Sequence, residues 1–165
     1  MHVSCPPSEG IFIGVFIMGY THFFRQHKQP TEVQWQAICA DFSKCLEEFT
    51  KDALIQEDWD IPAPPRVDYR CIRFNGVHPN YHETMCLNRY GRGFQFCKTA
   101  RKPYDFAVMC LLLLVHHHAS DCWEVDSDGG YREWERARAW LTHHLKDDRR
   151  IIYTTPSKIL SKPTY

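Results

Sequence analysis

The sequence predicts an α+β fold, an antiparallel sheet of about four to five strands packed by about three helices in the order β-α-β-β-β-α-β-α. Three observations lead there. Apolar residues recur at spacings of three and four between Trp35 and Phe49, the period of a helix lying on a core. Short aromatic and β-branched stretches between Tyr69 and Cys97 are punctuated by Asn-Gly, Pro-Asn and Gly, as strands joined by turns are. A continuous apolar run, Phe106 to Val115, is half the length of a membrane-crossing helix, which takes about 20 residues, so it reads as a buried helix.

Each element has its own local reason. Tyr20 to Arg25 alternates as a strand does, placing Tyr20, His22 and Phe24 on one face and Thr21, Phe23 and Arg25 on the other. Thr31 followed by Gln34 is a capping-box pattern, opening a helix whose stripe is Trp35, Ile38, Phe42, Leu46 and Phe49. Ile61-Pro62-Ala63-Pro64-Pro65 is an extended connector. Tyr69 to Phe74, Glu83 to Asn88 and Gly93 to Cys97 then form an expected meander. Pro103 suits the first turn of the next helix, which ends on His116-His117-His118, where cationic side chains complement the helix dipole. Trp123 to Val125 is a short strand and Asp126 to Gly130 a turn and cap. Tyr131 to Leu145 is a helix turning Trp134, Ala137, Ala139 and Leu141 inward. One domain spans residues 18–150. Residues 1–17 are an upstream extension or a first strand, and 151–165 a C-terminal tail.

Composition narrows the function classes. Lysine plus arginine and aspartate plus glutamate number 20 each, so no overall field draws the protein to bulk nucleic acid or an anionic membrane. An anion site has to be local. The eight cysteines contain no C-x-x-C spacing and mostly lie in apolar stretches, the pattern of buried free thiols in a cytoplasmic protein. The apolar run from Ile11 to Met18 follows only His2 and precedes no small-residue cleavage pattern, so it is not read as a signal peptide.

The segment Phe94 to Asp105 carries the strongest chemical signal, a strand running through a basic loop into a helix. Lys98, Thr99, Arg101 and Lys102 would surround an anion at the positive helix terminus, with Tyr104 beside them. Alternation puts Lys98 on the same strand face as Phe94 and Phe96, the expected core side, with Cys97 pointing away. A meander centred on Tyr90-Gly91 then sets Glu83 opposite Lys98, as a buried ion pair or the floor of a polar pocket. Tyr20 and His22 would supply a face for a base. The expected ligand is therefore a phosphorylated small molecule, a nucleotide, contacted by Tyr20, His22, Glu83, Lys98, Thr99, Arg101, Lys102 and Tyr104. No metal or cofactor is called for, no catalytic residue is assigned, and nothing in the sequence sets the oligomeric state. Adjacent histidines on a helix diverge by about 100° and cannot share an ion. An alternative keeps a metal- or histidine-dependent phosphodiesterase or nuclease using His22, His82, Glu83 and one of His116 to His118, with Asp126 as a further candidate ligand. A second alternative is a protein-interaction inhibitor of a host factor, anchored by tryptophan.

The strings Gly19-Tyr20-Thr21-His22-Phe23-Phe24-Arg25, Ile72-Arg73-Phe74-Asn75-Gly76, His82-Glu83-Thr84 and Phe96 to Asp105 occur in this order, with Ser127-Asp128-Gly129 behind them. Together they resemble an uncharacterised family of small bacterial and phage proteins, over about Met18 to Gly130. The resemblance implies that Met18 is the usual start and that the setting is a bacterial cell or a phage-infected host. It also implies that the basic loop matters beyond this chain. It implies no activity.

Overall fold

The structure is a computed structural model and describes residues 19–52, 54–145 and 153–162. Its elements in chain order are β1 (Thr21–Gln26), α1 (Glu32–Lys51), β2 (Ile55–Gln56), β3 (Arg66–Val67), β4 (Cys71–Gly76), β5 (Met85–Asn88), β6 (Gly93–Lys98), α2 (Asp105–Ala119), β7 (Trp123–Ser127), α3 (Tyr131–His144) and α4 (Ser157–Leu160). The α+β class holds. The strands divide into two antiparallel sheets, where the sequence led us to expect one.

Three strands in the order β6-β1-β7 make the first sheet, and β4 with β2, β3 and β5 makes the second. The expected meander stops after its second strand. β4 and β5 pair from Cys71 opposite Asn88 to Phe74 opposite Met85, but β6 crosses to β1, with His22 opposite Cys97 and Arg25 opposite Phe94. At the Arg89 to Arg92 turn, the buried Gln26 amide donates to the Arg89 carbonyl at 2.8 Å and ties the turn to β1. The sheets still touch at one end, where the Glu83 N–H donates to the Lys98 carbonyl at 3.2 Å.

α2 is the centre of the molecule. Every residue from Ala107 to Val115 is buried, as befits a helix that is apolar all round and meets neighbours on every side. It packs against α1, α3 and β7. α1 begins with the expected capping box, the Gln34 N–H donating to Thr31 Oγ1 and the Thr31 N–H to Gln34 Oε1. Its buried stripe is Trp35, Ile38, Phe42, Cys45 and Phe49, with Leu46 half-buried at the edge. Phe42 stacks on Phe74 at 5.3 Å and so joins α1 to the second sheet. α3 buries Trp134, Ala137 and Leu141, whereas Ala139 faces outward. Part of the segment read as a tail belongs to the core: Tyr153 and Ile159 are buried, and α4 packs on β7.

The seven described cysteines are free thiols; Cys39 and Cys86 are half-buried and the others buried. Burial pushes the Cys45 and Cys97 thiols up to about 12, which keeps them protonated and unreactive at neutral pH. Cys5 and the expected upstream extension lie outside the described residues. Among the described residues no helix is long and apolar enough to cross a membrane.

Candidate functional site

The β6-to-α2 loop gathers seven of the eight predicted residues directly and Glu83 beside them, but in two layers that the sequence did not separate. Tyr20, His22, Thr99 and Tyr104 form a buried layer. Glu83, Lys98, Arg101 and Lys102 lie at or near the surface.

His22 organises the buried layer and is 0 % exposed. Its Nε2 lies 2.7 Å from Asp105 Oδ1, and because a carboxylate only accepts, that nitrogen carries the hydrogen. Its Nδ1 faces Ser127 Oγ at 2.9 Å, and Ser127 Oγ in turn accepts the Gly129 N–H at 2.9 Å. Thr99 Oγ1 donates to the same Asp105 oxygen. The Tyr20 and Trp134 rings meet the imidazole edge-on at 5.1 and 5.4 Å. Burial, then the Asp105 charge, raises the Tyr20 phenol well above its ordinary value, so it stays neutral. A histidine between serine and aspartate has the parts of a nucleophilic triad. Here His22 and Ser127 are both sealed from solvent, so the network acts as a tie joining β1, β7 and the first turn of α2.

Two expectations fall with this geometry. Tyr20 and His22 point into the molecule and present no ring to a ligand. The N-terminus of α2 already holds an anion: Asp105 stands in its first turn, the place foreseen for a phosphate.

The outer layer departs from expectation through strand parity. Phe94 and Phe96 are 53 % and 55 % exposed, and Cys97 faces the core. Lys98 therefore lies on the open face, where its chain runs over Gly19; a Cβ there would fall 2.2 Å from Lys98 Cε. Glu83 is beside Lys98 as expected, but no side-chain ion pair forms between them. The Glu83 carboxylate accepts the Lys98 backbone N–H at 2.8 Å, and the Glu83 carbonyl accepts the Tyr104 hydroxyl at 2.6 Å. Burial raises the Tyr104 phenol, which remains a donor. Arg101 pairs with Glu133 and lies 4.0 Å over the Tyr20 ring. Ala100 and Arg101 hold left-handed backbones, φ 50° and 57°, each of which costs roughly 1–2 kcal/mol. The Thr99 and Ala100 N–H groups converge on the Tyr20 carbonyl, and the Lys102 N–H donates to the Thr99 carbonyl, so three bonds hold the loop in that shape.

The remaining histidines do not gather. His82 Nδ1 bonds the Lys98 carbonyl at 2.7 Å, His117 packs on Tyr153, and His118 Nε2 donates to Asp41 at 2.8 Å. His117 stands twelve residues along α2 from Asp105, about 18 Å away. Among the described residues no group of three or more His, Cys, Asp or Glu side chains is placed to hold a metal ion.

Sequence reasoning missed Asp105 and Ser127 as partners of His22, and Phe23, Phe94, Phe96 and Arg25 as a surface. The signal for that surface was present in the alternation of β1, which set Phe23 and Arg25 opposite His22, but the matching face of β6 was assigned inward. The fold and site thus define a class: a two-sheet α+β protein around one apolar helix, with a buried His-Asp-Ser tie beneath an exposed aromatic and cationic strand. No family model matches the chain, and comparison with curated proteins and with solved structures returns no match.

Proposed function

We propose that the protein binds a phosphorylated small molecule, a nucleotide, without catalysis, at the outer end of β6. The observation that carries this reading is the juxtaposition on one open strand face of Lys98, whose ammonium makes no ion pair among the described residues, with the exposed ring of Phe96 two residues away. The ring offers a stacking surface, and Lys98 with Lys102 supplies the charge. The rigid loop contributes by fixing where those cations stand. Arg101 is committed to Glu133 and serves the loop rather than the ligand. In the phage setting that the sequence resemblance implies, such a protein would sequester a host signalling nucleotide.

A thermal-shift panel of nucleoside mono-, di- and triphosphates and cyclic nucleotides tests the reading. A true ligand at a hundred times its dissociation constant stabilises the fold by about 2.7 kcal/mol. Lys98→Gln should abolish that shift while leaving the unliganded melting temperature in place. No shift from any member of the panel would end the proposal.

A further inference from the structure

The outer face of the β6-β1-β7 sheet carries a row of rings. Phe23 and Phe94 stack at 5.9 Å, Phe94 and Phe96 lie 6.3 Å apart, and the Arg25 guanidinium sits 5.5 Å over Phe94. Such a contiguous, solvent-facing aromatic row on a sheet marks a binding surface. Register fixes the order along the strands: Lys98 is opposite Thr21, Phe96 opposite Phe23, and Phe94 opposite Arg25. Phe94 and Phe96 are thus about 6.6–6.8 Å apart along the strand, with Lys98 two residues beyond Phe96 and Arg25 beside Phe94, about 13 Å between the two cationic positions.

The charges on this face are sorted by strand. On β7, Glu124 pairs with Lys158 at 2.6 Å and Asp126 with Lys162 at 2.8 Å, so that side is neutralised. On β6 the Lys98 ammonium makes no ion pair among the described residues, and on β1 Arg25 stands opposite Glu124, a carboxylate already bonded to Lys158, so the β6 and β1 side keeps an excess of positive charge. A polyanion with unpaired flat groups matches the β6 and β1 side and not the β7 side.

We infer that this face is a docking surface for single-stranded nucleic acid, with successive bases stacked on Phe96 and Phe94 and the backbone phosphates held by Lys98 and Arg25. The inference rests on the nucleotide reading for the Lys98 and Phe96 half and adds the Phe94 and Arg25 half. Stacking on rings is indifferent to base identity, so DNA and RNA are both ligands. A duplex keeps its bases paired and should bind far more weakly.

Fluorescence anisotropy with labelled eight-residue oligodeoxythymidylate and oligouridylate provides the test, with the thymidine and uridine monophosphates as competitors. The oligomers should bind more tightly than the monomers. Phe94→Ala should weaken oligomer binding about 5- to 150-fold, the loss of one stacked base, while leaving the monophosphate-induced thermal shift unchanged. Two phosphate contacts give a slope of about −1.4 for log K against log salt. Phe94 is a surface ring, so the variant's unfolding midpoint should match that of the parent and serves as the folding control. Monophosphates binding as tightly as oligomers, with no effect of Phe94→Ala, would overturn this inference and leave the nucleotide reading standing. Binding of neither ends both. A concentration-dependent dimer dispersed by Phe94→Ala, without oligomer binding, would make the face a self-association surface and overturn the inference.

Discussion

Asp105 accepts from both His22 and Thr99 and joins parts of the chain 83 residues apart. Removing it leaves the buried His22 N–H without an acceptor and the Thr99 hydroxyl with only the Tyr20 carbonyl at 3.5 Å, and an orphaned buried group costs about 1–3 kcal/mol. Asp105→Ala should therefore lower stability by at least that range in urea unfolding. A change under about 0.5 kcal/mol, the size of an ordinary surface substitution, would show that the tie does not hold the loop to the sheet. The sequence showed Asp105 only as the last residue of a basic segment. Its role depends on His22, which reaches it through a tertiary contact and is itself held by Ser127, and no local spacing encodes such contacts.

α2 shows what an element adds to its residues. Its apolar run was legible because ten consecutive apolar residues have few other uses in a chain with no long span. Its end carries a pH dependence. Burial lowers His116, and burial followed by the neighbouring His118 charge lowers His117, so the fold favours their neutral forms. The unfolded chain then takes up protons first as pH falls below about 6.5, and stability present above that value is lost on acidification. Asp41 is desolvated, but the hydrogen bonds from His118 and Lys44 outweigh this and hold its carboxyl below the usual range, adding a further loss at lower pH. The melting temperature should fall between pH 7 and pH 5, and His117→Gln should flatten that fall. An unchanged pH profile in the variant would remove His117 from the account. The capping box of α1 was legible for a similar reason, since both its partners lie three residues apart.

At the scale of the whole molecule, two sheets share one helical core, and Phe42 is where α1 meets the second sheet. It is fully buried against Phe74 and Phe49, so Phe42→Ala should cost about 3–5 kcal/mol, read as a lowered urea midpoint with an unchanged denaturant slope. A much smaller loss would mean that the neighbours collapse into the space. The sequence by itself determined the α+β class, the main helices, strands read at residues 20–25, 69–74, 83–88 and 93–97 that the structure sets within two residues of those bounds, and the basic loop as a place of interest, because each follows from local period, capping or turn chemistry. Only the tertiary structure decided that β6 pairs with β1 rather than β5, and with it which way Phe94, Phe96, Cys97 and Lys98 face. A strand alternates with a period of two and has no intrinsic inside. The buried row His22 and Phe24 of β1, with Tyr20 just before it, settles the matter by drawing Cys97, Gln95 and Thr99 to its own side and leaving the phenylalanines outward.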